Sequence, residues 1–253
     1  MAGRLPKEIA YKKYRKIEVL LKDFREYILK PPENRFELLI HCAGQLILFT
    51  ETLKNDAALV AELLDVVRLL RESSGPGVVA AEKTAMERLI WLARECARLA
   101  AEAKEGRASQ AADTAPGVAQ DADPASAVLA LLVAFARETF AFKRAHDSFG
   151  GERRSLAFEL LGAASAALDL SDVVVLARET LKGKKMGRDT LGALQFLEEY
   201  YSHNDDMVSD EMVDELLAFA KRTDSRSLAV GALNVLVETN CISDLQALSR
   251  IDD

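Results

Sequence analysis

The distribution of proline constrains this chain more than any other feature of its sequence. All six prolines lie at or before Pro124, and the following 129 residues contain none. Proline breaks helix interiors because it lacks a backbone N–H and its ring clashes with the preceding turn. The second half of the chain can therefore be helix after helix. Aromatic residues make up only 6% of the chain, and its aliphatic residues are mainly Ala, Leu and Val, which favours helices over sheets.

The first half shows amphipathic helices separated by strong helix breakers. An apolar stripe at alternating spacings of four and three predicts a first helix over about residues 7–30. The stripe consists of Ala10, Tyr14, Ile17, Leu21, Phe24 and Ile28. Pro31-Pro32 ends this helix, and residues 73–77 (SSGPG) form a loop. Four helices with short joints predict an N-terminal helical bundle over residues 1–106.

Small polar residues mark where the helices begin. Asn34 is expected to cap the second helix, and Asn55 or Asp56 the third. Serines are expected to cap later helices, namely Ser171, Ser209 and Ser243. The buried face of the second helix is expected to comprise Phe36, Leu39, Ala43, Leu46 and Leu53.

Residues 107–123 (RASQAADTAPGVAQDAD) have no large apolar side chain except Val118. Such a segment buries too little surface to offset its ordering entropy, so the sequence predicts a flexible linker. A long helix is expected to follow from Pro124, because proline suits the first helical position. The second domain is predicted to span residues 124–253.

After Gly150-Gly151 the chain falls into three predicted helix pairs with partly repeated sequences. Residues 191–197 (LGALQFL) align with residues 230–236 (VGALNVL) at an offset of 39. Helix–turn–helix units of about 36–40 residues are typical of α-solenoids. The C-terminal half therefore resembles HEAT or armadillo repeats. The expected fold is all-α, with an N-terminal bundle and a C-terminal α-solenoid. A non-repetitive helical domain with chance Ala/Leu spacing is the alternative.

Charge is unevenly distributed along the chain. Residues 1–106 carry 18 basic and 16 acidic side chains, whereas residues 107–253 carry 15 and 24. A basic first helix and the acidic segment 198–215 are the candidate partner surfaces, for an acidic and a basic partner respectively. Solvated helix faces are the alternative reading of both. The candidate residues are Lys12, Lys13, Arg15 and Lys16, together with Asp205, Asp206, Asp210, Glu211, Asp214 and Glu215.

No catalytic signature occurs, and we expect no enzyme activity, cofactor or metal. His146-Asp147, with His41 and Asp205, is similar to the ligand order of HD-type metal phosphohydrolases. His41 lies far upstream, however, and a turn sequence follows Asp147. A histidine and a turn at a helix end explain the same residues.

Nucleic-acid binding is a further alternative, because Tyr11 and Tyr14 are interleaved with the basic residues of the first helix. Tyr14 belongs to the apolar stripe, and the isoelectric point is about 5.2. Both observations argue against nucleic acid.

The fold class, by analogy, predicts a non-enzymatic adaptor or scaffold that binds another protein or peptide. The alternative is a self-assembling structural or regulatory subunit, paired through the apolar stripe of the first helix. The three cysteines, Cys42, Cys96 and Cys241, lie far apart in apolar contexts, which is typical of reduced, buried thiols. We expect a cytoplasmic protein, with the nucleus as the alternative. The longest uncharged apolar stretch is well short of the roughly 20 residues of a membrane span, so no membrane is expected.

Overall fold

The computed structural model describes residues 13–111, 123–142, 147–183, 186–204, 208–239 and 241, which are mostly helical and contain no strand. The expected all-α fold is confirmed. The helices are α1 (Ile17–Leu29), α2 (Arg35–Gln45), α3 (Thr50–Leu53), α4 (Ala57–Glu72), α5 (Val78–Ala111), α6 (Pro124–Ala141), α7 (Gly150–Ala164), α8 (Ser171–Lys182), α9 (Arg188–His203), α10 (Asp210–Arg222) and α11 (Arg226–Glu238). A 3-10 turn over Leu46–Phe49 joins α2 to α3.

The chain divides into two compact units, residues 1–135 and 136–253, and the division falls within α6. The sequence instead assigns all of α6 to the second domain. Helix α5 continues to Ala111, so the first part of the predicted linker is helical. Residues 112–122 lie outside the described part of the chain, and the linker there stays a prediction.

Four helices of the first unit form a closed ring of contacts. Helix α1 packs against α2 and α4, and both of these pack against α5, as in a four-helix bundle. The described members of the predicted apolar stripe are all buried within this unit: Tyr14, Ile17, Leu21, Phe24 and Ile28. These side chains pack inside the first unit, and self-assembly through the same stripe stays a prediction.

Some predicted helix boundaries of the first unit are confirmed and others are wrong. The first helix is expected from about residue 7, but residues 13–16 are not helical and α1 begins at Ile17, so the basic residues Lys13, Arg15 and Lys16 precede this helix. Helix α1 ends just before the two prolines, and Asp56 caps α4 by accepting hydrogen bonds from the backbone N–H groups of Ala58 and Leu59, both at 3.0 Å. Asn34 occupies the N-cap of α2 but makes no side-chain capping bond.

The expectation that Phe36 is buried is wrong, because 48% of this residue is exposed. The helical turn of α2 that contains Phe36 is packed against a loop rather than against another helix. Gly77 lies in this loop with a φ of +80°, and a Cβ there would sit 2.7 Å from Cα of Phe36. The loop thus covers the Phe36 backbone while the side chain remains in solvent.

A buried ion pair lies in the core of the first unit. Nε of Arg71 is 3.2 Å from Oε1 of Glu82, and the two side chains are only 3% and 1% exposed. The Arg71 guanidinium also lies over the ring of Phe135, 4.1 Å from its centroid. Charges so fully removed from water require close compensation.

The second unit has two sets of packed helices. Helix α7 packs against α9 and α9 against α11, while α8 packs mainly on α9 and α10 mainly on α11. The sequence predicts that residues 153–168 pair with 172–182 and residues 190–201 with 210–221, which correspond to α7 with α8 and α9 with α10, so the predicted pairing is shifted by one helix. The third predicted pair, residues 227–239 with 244–250, extends outside the described residues. The core contains a chain of aromatic contacts between Phe140, Phe158, Phe196 and Tyr200, with centroids 4.6, 6.0 and 5.7 Å apart.

Two glycines allow close approach between helices in this unit. A Cβ on Gly192 of α9 would lie 2.6 Å from Cα of Ser155 in α7. A Cβ on Gly231 of α11 would lie 3.2 Å from Cδ1 of Leu194 in α9. The first contact is with backbone, which cannot yield, whereas the second is with the flexible end of a side chain.

The serine and cysteine predictions are only partly correct. Ser209 caps α10, its hydroxyl accepting a bond from the Met212 N–H at 3.3 Å. Ser171 is instead the first residue of α8, and its N–H donates to Asp169. Cys42 and Cys96 are buried, but Cys241 is exposed, since it follows the end of α11. Ser243 lies outside the described residues.

Two helical stretches, Arg35–Leu53 and Pro124–Ala141, are long and apolar enough to cross a membrane. Buried residues make up 44% of each stretch. Core helices of soluble proteins meet the same criterion, so the expected absence of a membrane span stays a prediction.

Candidate protein-interaction surface

Helices α8 and α10 are joined by an ion-pair cluster on the surface of the second unit. The guanidinium of Arg178 donates to both carboxylate oxygens of Glu215, at 2.7 and 2.8 Å. Its Nη2 also lies 3.2 Å from Glu211, and Nζ of Lys182 lies 3.4 Å from Glu215. This two-pronged geometry is the strong form of an arginine–carboxylate pair. The cluster fixes α8 beside α10.

The cluster shifts the pKa values of its members in opposite directions. Hydrogen bonds from Arg178 hold the pKa of Glu215 below its ordinary value of 4.5, against the opposing effect of partial burial. Hydrogen bonds to Glu215 raise the pKa of Arg178 further above its ordinary range. Glu215 is therefore charged in the folded chain at all but acid pH, and it is committed to Arg178.

We expect Glu215→Gln to flatten the acid dependence of stability. The folded pKa of Glu215 is depressed, so its contribution is complete above its ordinary value of 4.5 and is lost as the pH falls through the folded value. At neutral pH, the free energy of unfolding of the variant should be lower than that of the wild type by under about 1 kcal/mol. Between neutral pH and about pH 3, the free energy of unfolding should fall by less in the variant than in the wild type. Urea unfolding at the two pH values measures both decreases. Asp214→Asn is the matched control, and an equal flattening by both variants would contradict the assignment.

An apolar pair interrupts the polar face of α8. Val175 is 59% exposed and Leu176 is 37% exposed, whereas Val173, Val174 and Ala177 are buried. Asp172 and Glu179 are exposed one turn before and one turn after this pair. Exposed apolar side chains with a charged rim are typical of binding surfaces.

Acidic side chains of α10 continue this surface. Because Arg178 pairs with Glu211 and Glu215, that side of α10 faces α8, and Val175 lies one turn before Arg178 on the same side of α8. Glu211 and Asp214 are both exposed. Leu176 lies about 160° around α8 from Arg178, on the outer flank of the helix. We call the outward surface of the two helices the α8–α10 face, formed by Asp172, Val175, Leu176, Glu179, Glu211 and Asp214.

The net charge of the α8–α10 face and its ion-pair partners is negative. Asp172 pairs with Arg137 at 2.8 Å, and Glu179 with Lys182 at 3.3 Å. Counting Arg178 and Glu215, five carboxylates stand against three cations. Lys221 and Arg222 follow at the C-terminal end of α10, so the acidic character belongs to its N-terminal part.

The predicted acidic residues separate into three groups. Glu211 and Asp214 lie on the α8–α10 face, and Glu215 is engaged by Arg178. Asp210 is exposed in the first turn of α10, one turn before Asp214 and on the same side of the helix, so it lies beside the α8–α10 face. Asp205 and Asp206 lie outside the described residues.

Sequence reasoning missed Val175, Leu176 and Arg178. A signal for the apolar pair was present, since residues 173–176 (VVVL) are four consecutive apolar residues. Successive helical residues point about 100° apart, so such a run cannot face one core throughout. Nothing in the sequence marked Arg178, because its partners lie 33 and 37 positions further on.

The predicted basic residues are exposed at the start of the first unit. Lys13, Arg15 and Lys16 are all exposed, and Lys16 is the N-cap residue of α1. Lys12 lies outside the described residues. The neighbouring Tyr14 is buried and its hydroxyl donates to Asp23 at 3.0 Å, so this tyrosine does not offer a stacking surface for a base.

Of the HD-like set, the structure describes His41 and Asp147. The ring of His41 lies 6.2 Å from that of Tyr14, centroid to centroid. Asp147 pairs with the buried guanidinium of Arg153 and accepts a hydrogen bond from the N–H of Phe149 at 3.2 Å. Asp147 thus binds two residues at the N-terminal end of α7. His146 and Asp205 lie outside the described residues. Within the described ranges, no group of three His, Cys, Asp or Glu side chains is placed to hold a metal ion.

Comparisons of the chain with protein-family models, curated proteins and solved structures find no match. The α8–α10 face is therefore the feature from which we argue function.

Proposed function

We propose that this protein is a non-enzymatic adaptor that binds another protein through a helical-repeat unit. The exposed apolar pair Val175 and Leu176, set within the acidic α8–α10 face, is the observation that carries this proposal. Full burial of an exposed aliphatic side chain is worth about 1.5–3 kcal/mol. Val175 and Leu176 are 59% and 37% exposed, so about half of that free energy is available from each. A partner that covers the pair recovers this free energy.

The packing of the second unit supports the proposal that its helices form repeats of about 39 residues. Ser155 approaches Gly192 between α7 and α9, and Leu194 approaches Gly231 between α9 and α11. Adding 39 to both numbers of the first contact gives the second contact, which is the same offset as in the sequence alignment. A contact that recurs at the repeat length is expected when each unit stacks on the one before it.

Ion pairs between helices show a similar spacing. Arg137 of α6 pairs with Asp172 of α8 across 35 positions, and Arg178 of α8 bonds Glu215 of α10 across 37. Each pair joins a helix to the second helix after it. Helices stacked in this way present an extended surface, which repeat proteins commonly use to bind other proteins.

Affinity capture with the full chain tests the adaptor proposal. The wild type is compared with Val175→Gln/Leu176→Gln and with Ile47→Gln/Leu48→Gln, a matched adjacent pair in the first unit that is 45% and 57% exposed. We expect a protein from a lysate of the source cells to be retained by the wild type and by the Ile47/Leu48 variant. The Val175/Leu176 variant should retain about tenfold less, as for loss of a binding hot spot.

Circular dichroism checks whether both variants remain helical. Equal retention by all three chains, or equal loss in both variants, would refute this use of the α8–α10 face. Quantitative mass spectrometry of the retained proteins gives the comparison.

A further inference from the structure

We propose that the α8–α10 face binds a basic amphipathic helix of a partner protein. This inference rests on the proposed adaptor function and specifies the chemistry of the partner. A partner that fits this face has two features. It has an apolar stripe that covers Val175 and Leu176, and it has cationic side chains beside that stripe that bind the carboxylates of the face.

The apolar contact is too small to hold a partner by itself. Association costs several kcal/mol of lost freedom, and two partly exposed aliphatic side chains recover only part of it. The remaining affinity must come from the surrounding charges. An apolar stripe flanked by cations is the pattern of a basic amphipathic helix, and helices bind helical surfaces by laying that stripe into a groove.

The carboxylates of the face retain capacity to bind cations. Arg178 makes its two shortest contacts to Glu215, whereas Glu211 is reached by one contact of 3.2 Å and is 73% exposed. A carboxylate offers about four acceptor sites. A partner arginine or lysine can therefore bind Glu211 while the Arg178–Glu215 pair remains intact.

The positions of the acidic groups match both edges of such a helix. On α8, Asp172 and Glu179 lie on either side of the apolar pair along the helix axis. On α10, Glu211 lies at the edge of the Arg178 cluster, 3.2 Å from its Nη2, and Asp214 is exposed three positions further along the helix. Cations before, after and beside the apolar stripe of the partner would each meet a carboxylate, which favours this occupant over an acidic one.

Binding of a synthetic helix to the full chain tests the proposal. The probe is a fluorescein-labelled peptide of about five helical turns, with leucines on one face and lysines and arginines elsewhere. Two comparison peptides replace every cation by glutamate, or scramble the leucines while keeping the composition. Fluorescence anisotropy at about 0.15 M salt gives each Kd. We expect the basic amphipathic peptide to bind the wild type at least about tenfold more tightly than either comparison peptide.

Three variants locate the binding on the chain. Glu211→Lys/Asp214→Lys and Val175→Gln/Leu176→Gln should each weaken binding about tenfold. Glu62→Lys/Glu72→Lys makes the same charge change on exposed positions of α4 and should leave the Kd within about twofold of the wild type. Circular dichroism checks that each variant is folded.

Several outcomes would overturn the inference. Equal binding of the scrambled peptide, or equal weakening by the α4 variant, would show only general attraction to an acidic protein. Tighter binding of the glutamate peptide would assign an acidic partner. Self-association of the chain that Val175→Gln/Leu176→Gln abolishes in sedimentation would assign a second copy. If the lysate partner is lost in that variant but the basic peptide does not bind, the adaptor proposal stands and this inference fails.

Discussion

Gly192→Ala is expected to lower the free energy of unfolding of the second unit by about 3 kcal/mol, at the upper end of overpacking effects. The added Cβ would lie 2.6 Å from Cα and 2.7 Å from Oγ of Ser155. Because the closest atom is backbone, the methyl group can be accommodated only if α9 moves away from α7. Urea unfolding followed by circular dichroism measures the loss.

Other glycines of the chain provide a graded control. A Cβ on Gly44 would meet nothing within 4 Å, so Gly44→Ala should stabilise α2 by about 0.5–1 kcal/mol. The change in the free energy of unfolding for Gly231→Ala should lie between those for Gly192→Ala and Gly44→Ala, because the Leu194 side chain can rotate away. If Gly192→Ala is as stable as the wild type, the close contact between α7 and α9 is wrong.

Glu82→Gln is expected to destabilise the first unit by about 3–5 kcal/mol. The substitution keeps the shape of the side chain but removes the carboxylate that lies 3.2 Å from Nε of Arg71. The guanidinium then remains buried against Phe135 without this counter-charge. Trp91 is the only tryptophan of the chain and lies in α5, so its fluorescence during urea unfolding reports the first unit.

An exposed ion pair provides the comparison for this buried one. Asp65 pairs with Arg68 at 2.8 Å, and both side chains are well exposed. Asp65→Asn should cost under about 1 kcal/mol. Replacing both buried partners, as in Arg71→Met/Glu82→Leu, should restore most of the stability that Glu82→Gln loses. Similar losses in Glu82→Gln and Asp65→Asn would show that burial of the pair is wrong.

The sequence predicted those parts of the fold that depend on local chemistry. Proline placement, the Asp56 cap and the apolar stripe of α1 act within one or two helical turns, and each is found as expected. The bundle boundary at residue 106 places the end of its last helix near Gly106, because glycine weakens helices. Its neighbours include the strong helix formers alanine, glutamate and lysine, and the helix continues to Ala111.

Features that depend on tertiary contacts were beyond local reasoning. The exposure of Phe36 depends on a loop some 40 residues away, and the Arg71–Glu82 pair spans two helices. The candidate site was found in part, as an acidic segment. A run of charges is visible in a sequence. The ion pair between Glu215 and Arg178 is not, because it depends on how two helices lie beside each other.

The unequal burial of the three thiols gives the chain a built-in chemical reporter. Cys42 and Cys96 are 0% exposed, and burial raises the pKa of Cys96 to about 12, so both resist alkylation while the first unit is closed. Cys241 is exposed, so we expect it to react first and to serve as the internal standard. The slow labelling of the other two then times the opening of the first unit alone. Glu82→Gln should accelerate that labelling.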